Sequence, residues 1–345
     1  MTNSANPIGI GICGCGYWGM NYVRVFSELP ESAMVAVCDQ NPERLNVVAQ
    51  RFPAVARYTD IDEMLQRDDI AAVVVATEAG SHFKIASRAL AAGRHVLSEK
   101  PLTTTVSDGQ ALIQLAEREG VTLMVGHTFI YNAGVRKVKE LIDQEEMGQV
   151  YYMYARRTNL GPIRRDVNAL WDLAPHDVSI FNYFLNSTPD WVSAVASNVL
   201  QNDREDVGFI AMHYPNNVLC HIHVSWADPN KVREVVVVSS NKRIVFDDVN
   251  PQEQVRIFER GVTVKPASAD SYAEHTLLMR DGDIISPRIA ISEPLKTQCK
   301  HFLECVTNGQ RPITDGQAGV DIVRVMKAIE QSIHQHGAPV QLADF

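Results

Sequence analysis

The chain has 345 residues, 46% apolar and 21% charged, with a net charge of −9. That is a globular mixture, and its length points to two domains. The negative balance argues against nucleic acid and anionic membranes as partners, so any anionic ligand must be met by local cations. No apolar run reaches the roughly 18 residues of a membrane span. The start, Met1-Thr2-Asn3-Ser4-Ala5-Asn6, lacks the basic region and apolar stretch of a signal peptide. The six cysteines show neither a CxxC pair nor zinc spacing. They read as buried free thiols of a cytoplasmic protein, and no metal site is expected.

Ile8–Cys13 is a strand candidate that ends at Gly14-Cys15-Gly16-Tyr17-Trp18-Gly19, after which Tyr22, Val23 and Phe26 recur at helical spacing. A GxGxxG sequence between a strand and a helix is a dinucleotide-binding turn. Gly14 permits the tight turn, Gly16 lets a pyrophosphate approach the backbone, and Gly19 lets helix and strand pack closely. Tyr17 and Trp18 open the helix, whose N-terminus offers unpaired N–H groups to phosphates. Met34–Cys38 is a second strand, closed by Asp39. A carboxylate there accepts hydrogen bonds from the ribose hydroxyls of NAD and repels the 2′-phosphate of NADP. Arg44 is suited to such a phosphate and tempers the preference for NAD. The other reading of Asp39 is a helix cap.

Asn41-Pro42-Glu43 opens a helix with a cap-like Asn and Pro at its first position. Ala71–Ala76, His95–Leu97 and Thr122–Val125 continue as strands, with helical stretches around 81–92 and 106–119. The alternation implies an α/β domain over residues 1–126, a Rossmann-type doubly wound parallel sheet. Glu99-Lys100-Pro101 follows the fourth of these strands, on the edge where open α/β sheets bind ligands. Lys100 there is placed to hydrogen-bond a substrate hydroxyl and stabilise negative charge on its oxygen. A solvated loop lysine is the alternative.

After Gly126 the rhythm changes. Val150–Thr158, Trp191–Val199, Val207–His213, Val218–Ser225, Val232–Ser239, Lys242–Phe246 and Val255–Phe258 are strand-like, and helical patterns occupy roughly 134–144, 174–185, 295–308 and 318–335. They predict an α+β domain over 127–345, built on a large, mostly antiparallel open sheet. Tyr131 and Asn132, just past the last Rossmann strand, are candidates to line a cleft between domains, with core or cap roles open. In Trp171-Asp172-Leu173-Ala174-Pro175-His176-Asp177, Asp172 and His176 share a helix face. Pro175 places this segment at a helix start. His176 is suited to taking a proton from an alcohol near neutral pH, with Asp172 orienting it. The alternative is a capping Asp and a core His. His221 and His223 alternate on a strand, and no third ligand accompanies them.

The glycine turn, Asp39, the Ala76-Thr77 strand end with His82, Glu99-Lys100-Pro101, Asp172-x-x-x-His176 and Asp315-Gly316 together resemble the glucose-fructose oxidoreductase / inositol dehydrogenase / MocA (Gfo/Idh/MocA) family of sugar oxidoreductases. The resemblance spans nearly the whole chain. It implies that Lys100, Asp172 and His176 contact the substrate, with His176 as the acid/base. It also implies that Thr77, His82, Glu99 and Lys100 border the cofactor, and that subunits associate through the open sheet into dimers or tetramers. The approach Asn159-Leu160-Gly161-Pro162-Ile163-Arg164-Arg165 looks like the branch acting on nucleotide-linked sugars, especially UDP-N-acetylglucosaminuronate 3-dehydrogenases. By that likeness Asn159 and Arg164 join the substrate site, and Arg156, Arg157, Arg164 and Arg165 suit a diphosphate and a uronate carboxylate. A solvated basic loop remains the other reading of the arginines. The function expected is NAD-dependent dehydrogenation of a sugar secondary alcohol. An inositol or free-hexose dehydrogenase and a non-catalytic dinucleotide sensor are the rivals.

Overall fold

A computed structural model describes residues 7–144, 146–161, 163–164, 167–200, 203–265 and 276–345. They form two compact units, one of residues up to Tyr131 with Ser292–Arg324, the other of Asn132–Ile291 with Val325–Phe345. The sequence expectation divided the chain once, at 126/127. The structure divides it five residues later and returns Ser292–Arg324 to the first unit.

The first unit begins with β1 (Ile8–Cys13), α1 (Tyr17–Glu28), β2 (Ser32–Cys38), α2 (Pro42–Arg51), β3 (Ala56–Tyr58) and α3 (Ile61–Leu65). It continues through β4 (Ala72–Val75), α4 (His82–Ala91), β5 (His95–Glu99), α5 (Val106–Glu119) and β6 (Leu123–Gly126). The strands are parallel in the order β3-β2-β1-β4-β5-β6. β4 reads Ala-Val-Val-Val and is wholly buried, as a strand covered on both faces must be. Asn41 caps α2, its side chain accepting from the Glu43 N–H, and Pro42 is the first helical residue. This is the cap expected from the sequence.

The second unit starts with α6 (Ala133–Asp143), β7 (Val150–Thr158), α7 (Ala169–Leu185), β8 (Trp191–Ser197), β9 (Val207–Tyr214), β10 (Val218–Ser225), β11 (Val232–Ser239), β12 (Arg243–Asp247) and β13 (Val255–Phe258). It also holds the hairpin β14 (Gly261–Lys265) and β15 (Thr276–Arg280), and the short β16 (Ile284–Ile285). Helices α8 (Pro294–Asn308) and α9 (Gly316–His334) and strand β17 (Val340–Gln341) complete the chain. Nine strands make one sheet, β16-β13-β12-β11-β7-β10-β9-β8-β17, antiparallel except where β7 meets β10.

One face of this sheet is covered by α7, which packs on β7, β9 and β10. Among the described residues the other face carries exposed side chains. On it the strand register aligns Val195, Phe209, His223 and Arg156 in one row, and Leu219 stands beside Tyr152. Phe209 is 52% exposed and Leu219 50%. Three imidazoles lie flat on aromatic rings of this sheet: His221 on Tyr154, His223 on Phe209, and His213 on Trp191.

Helix α7 departs from expectation. It starts at Ala169, capped by Asn168 accepting from the Trp171 N–H. Pro175 therefore stands in the helix interior, where it removes the N–H that the Trp171 carbonyl would accept. The upstream Asn cap, not the proline, sets the start. Among the described residues no helix is long and apolar enough to cross a membrane.

Candidate active site

The glycine turn does in space what its spacing demands. Gly14 has φ 93°, in the left-handed region, and a Cβ there would sit 2.6 Å from the Ala76 carbonyl oxygen. On Gly19 a Cβ would lie 1.7 Å from the Gly14 carbonyl oxygen, so only glycine lets α1 seat against the turn. By contrast, a Cβ on Gly16 would meet nothing within 4 Å. That open side is where a pyrophosphate approaches a Rossmann turn.

Asp39 follows β2 and is only 8% exposed. Its Oδ2 accepts from the Cys15 N–H at 2.7 Å and its Oδ1 from the Asn41 N–H at 2.8 Å. Two backbone donors thus fix the carboxylate between the glycine turn and α2. Arg44 lies 3.4 Å from Oδ2, so its cation leans on this carboxylate. A cavity of about 570 Å³ opens here, lined by Gly14, Gly16, Tyr17, Trp18, Asp39, Arg44 and Thr77 among others. Tyr17 and Trp18 pack edge to face with ring centroids 5.6 Å apart, and both are exposed at its mouth. The residues present fit an adenine dinucleotide: a ribose-facing carboxylate, a Cβ-free approach to phosphate and flat side chains at the rim. Lys84 and Arg88, one turn apart on α4, line the same cavity and escaped the sequence reading; their i,i+4 spacing was the available signal.

His82 and Glu99 are placed behind this surface. His82 is 1% exposed, its Nδ1 2.7 Å from the Pro101 carbonyl oxygen and its Nε2 3.1 Å from that of Thr77. It braces the end of β4 against the Lys100-Pro101 turn, whose peptide bond is cis. Glu99 Oε1 accepts from the Tyr22 hydroxyl at 2.6 Å, and Gln298 Nε2 donates to the same hydroxyl at 2.8 Å. Thr128 in turn donates to Gln298 Oε1 at 2.8 Å. Burial, with the Glu99 charge beside it, raises the Tyr22 hydroxyl well above its usual range, so it stays a donor. This buried chain holds Glu99, and with it the backbone of Lys100, whose N–H donates to Glu99 Oε2 at 3.2 Å.

His127 was not singled out from the sequence. Glu99 registers with Gly126 across β5 and β6, which brings the next residues, Lys100 and His127, to the same sheet edge. His127 is 1% exposed, and among the described residues neither ring nitrogen has a hydrogen-bond partner. Burial first, and the Lys100 charge second, push its pKa down to about 3. It is therefore a neutral imidazole beside a cation. Tyr131, four residues on, is buried, its hydroxyl 3.0 Å from Thr314 Oγ1.

In the second unit, Asp172 and His176 are i,i+4 on α7, on one face and a single turn apart. Arg164 Nη1 donates to Asp172 Oδ1 at 3.0 Å. Asn159 lies just past β7, its N–H donating to the Ser225 carbonyl. Asn132 caps α6 through the Gly134 N–H and donates to Asp248. The arginines do not form one cluster. Arg157 is buried in a two-bonded ion pair with Asp177, at 2.9 and 2.7 Å, while Arg156 sits on the open face of the sheet. Adjacent strand residues point to opposite faces, which is what separates them. Arg165 lies outside the described residues. Among those residues no group of three His, Cys, Asp or Glu is arranged to hold a metal ion.

Residues 8–127 match the model of an oxidoreductase family with an NAD-binding Rossmann fold, and residues 135–245 match the Gfo/Idh/MocA C-terminal domain. A 2,7-anhydro-N-acetylneuraminate hydratase of Mediterraneibacter gnavus is 27% identical over 61% of this chain, and the match spans only 59% of the hydratase. A D-apiose dehydrogenase of Paraburkholderia graminis is 24% identical over 96% of this chain and 88% of its own length. Among solved structures, the WlbA dehydrogenase of Bordetella pertussis, crystallised with NADH and UDP-GlcNAcA, superposes with a TM-score of 0.79 at 22% identity, covering 97% of this chain and 98% of that one. At that identity the superposition speaks for the fold alone. The two family models together reach from the glycine turn past the middle of the large sheet, and the chain belongs to the Gfo/Idh/MocA family of NAD-binding oxidoreductases.

Proposed function

We propose that this protein moves a hydride between NAD and a secondary alcohol of a nucleotide-linked sugar, with the C3 hydroxyl of UDP-N-acetylglucosaminuronate as the first candidate. The observation that carries the reading is the built edge of the parallel sheet. There the glycine turn and Asp39 form a dinucleotide cradle, and the Tyr22–Glu99 network holds Lys100 at the end of β5.

The bound nicotinamide ring supplies a hydride acceptor or donor. The chain supplies the rest. In the oxidative direction His176 takes the hydroxyl proton, and Asp172, on the same helix face, orients it. Lys100 donates to the substrate oxygen and stabilises its developing charge. Arg164 and Asn159 hold the anionic part of the substrate. Tyr131, its hydroxyl 3.0 Å from Thr314 Oγ1, joins the same substrate site. The nucleotide-sugar choice draws on the resemblance of the approach Asn159-Leu160-Gly161-Pro162-Ile163-Arg164-Arg165 to the nucleotide-sugar branch of the family. Two copies pairing through the open sheet face, with its exposed Phe209 and Leu219, complete the proposal.

The test is NADH formation, followed at the reduced-nicotinamide absorbance band, with UDP-sugars, inositols and free hexoses as substrates. Lys100→Ala is expected to lower kcat by about 10²–10⁴, the usual reach of proton-transfer and oxyanion groups. Full turnover in that variant refutes the assignment of Lys100. Turnover of inositol or hexose but no UDP-sugar moves the substrate to the unlinked class. NAD binding without turnover of any of them identifies a sensor.

A further inference from the structure

We infer that Cys13 and Cys38 form a reversible redox pair that governs dinucleotide binding, closing a disulfide under the nucleotide cavity when a peroxide-class oxidant reaches it. Neither residue has a part in the hydride transfer proposed above.

The geometry comes from the strands. Cys13 ends β1, Cys38 ends β2, and they are register partners in a parallel ladder. Register partners in a parallel pair project to the same face, and both belong to one apolar cluster with Ile61, Met64 and Val75. Both also line the nucleotide cavity, so the pair has an apolar bed and an opening a small oxidant can enter.

The pair is polarised. The neighbouring Cys13 thiol lowers the Cys38 thiol below its ordinary range, while Cys38 and burial raise Cys13 well above it. No other cysteine shares this. Burial pushes Cys15 and Cys220 up to about 12, Cys305 up to about 11, and Cys299 higher still. The thiolate is the reactive form of cysteine. Cys38 is also the more exposed of the two, 8% against 2%, so it meets the oxidant first, as the attacking sulfur, and Cys13 resolves it.

The chemistry balances with hydrogen peroxide as oxidant. The Cys38 sulfur attacks one peroxide oxygen, the O–O bond breaks, and Cys38 becomes a sulfenic acid as the departing hydroxide takes a proton to leave as water. Cys13 then attacks the Cys38 sulfur, the S–O bond breaks, and the second oxygen leaves as water. Two thiols and one peroxide give one disulfide and two waters. A dithiol reverses it by exchange.

The effect on the cofactor follows from what adjoins each sulfur. Cys13 precedes Gly14 and Cys38 precedes Asp39, and the Gly14 N–H donates to the Cys38 carbonyl at 2.8 Å. Neighbouring strands run about 4.8 Å apart, whereas the Cα atoms of a disulfide most often lie about 5.5–6 Å apart. Closing the bond spreads the two strand ends by up to about 1 Å, at the backbone that carries the phosphate turn and the ribose carboxylate. The disulfide and the dinucleotide therefore oppose each other, and by reciprocity a bound dinucleotide protects the thiols.

The test uses the full chain, reduced, with and without saturating NAD. Calorimetric binding of NAD to the reduced protein establishes separately that the cavity takes the dinucleotide, on which the inference rests. One to a few equivalents of hydrogen peroxide are then added, followed by non-reducing digestion and mass spectrometry, and by a second NAD titration. The expected result is a Cys13–Cys38 linked peptide 2 Da below the summed thiols. NAD Kd should rise at least tenfold on oxidation and be restored by dithiothreitol, and NAD should slow the linkage several-fold. Cys13→Ser and Cys38→Ser, each compared with its own untreated form, should lose the peroxide effect on Kd. Oxidation without that linked peptide, linkage that changes Kd by less than twofold, or linkage at the same rate with NAD bound overturns the inference. The protection experiment needs no variant, so a poorly folding serine mutant does not weaken the test.

Discussion

His127 sets a measurable acid limit on the stability of the first unit. The folded protein holds it neutral, with a pKa pushed down to about 3 by burial and by Lys100, whereas in the unfolded chain it titrates near 6.5. The unfolded state therefore binds a proton that the folded state refuses, and stability must fall as pH falls below about 6.5. Each pH unit is about 1.4 kcal/mol, so the interval from pH 6.5 to 5 costs about 2 kcal/mol from this residue alone. The loss continues toward pH 3 and is absent above pH 7. Other groups titrate over the same range, among them His95, His221 and His223, all lowered by burial. A difference measurement cancels them. His127→Leu keeps a side chain of similar volume and removes both the titration and the two unpartnered nitrogens. Equilibrium urea unfolding of both proteins at pH 7.5 and 5, each referred to its own value at pH 7.5, should show the parent losing about 2 kcal/mol more than the variant. Parallel losses would refute the reasoning, since they would mean that His127 takes up its proton in the folded state.

Two further perturbations separate ligand roles from structural ones. Gly16→Ala adds a Cβ that meets no protein atom, and Gly19→Ala adds one 1.7 Å from a carbonyl oxygen. The first should leave thermal unfolding within about 2 °C of the parent, on the rule that unstrained surface changes stay within about 0.5 kcal/mol, and weaken NAD binding at least tenfold by calorimetry. The second should lower the unfolding temperature outright with no ligand present. Arg157→Ala leaves the Asp177 carboxylate buried beside an empty space and should cost about 3–5 kcal/mol in urea unfolding. A loss under 1 kcal/mol would mean that water reaches Asp177 and replaces the guanidinium.

Where the candidate residues of the first unit stand could be read from the chain, because they sit in local sequence on a repeating scaffold. Strand, glycine turn and helix are contiguous: Gly14 and Gly19 answer contacts with the end of β4 and within the turn itself, and Gly16 keeps the approach open. Asp39 was legible for the same reason, since it ends the strand beside the turn. Lys100 was legible by position alone. What keeps it in place was not, because Tyr22, Glu99, Gln298 and Thr128 come from four distant stretches, and no spacing rule joins them.

The arginines show where a linear reading fails, and why. Four of them near a substrate-like loop look like one anion site when counted along the chain. Strand geometry breaks the count: Arg156 and Arg157 are neighbours in sequence and face opposite sides of β7. The inward one needs a buried counter-charge and finds Asp177 one residue past His176 on α7. That pair anchors the helix carrying Asp172 and His176 to the sheet, so the anion Arg157 meets is a carboxylate of the protein itself. Arg164, bonded to Asp172 at 3.0 Å, is the described arginine still placed to meet one. An anionic substrate group must then either share Arg164 with Asp172 or displace it. Substitution of Arg164 should accordingly raise KM for an anionic sugar far more than for a neutral one. An equal rise for both would place Arg164 with Arg157, as a residue that orients α7.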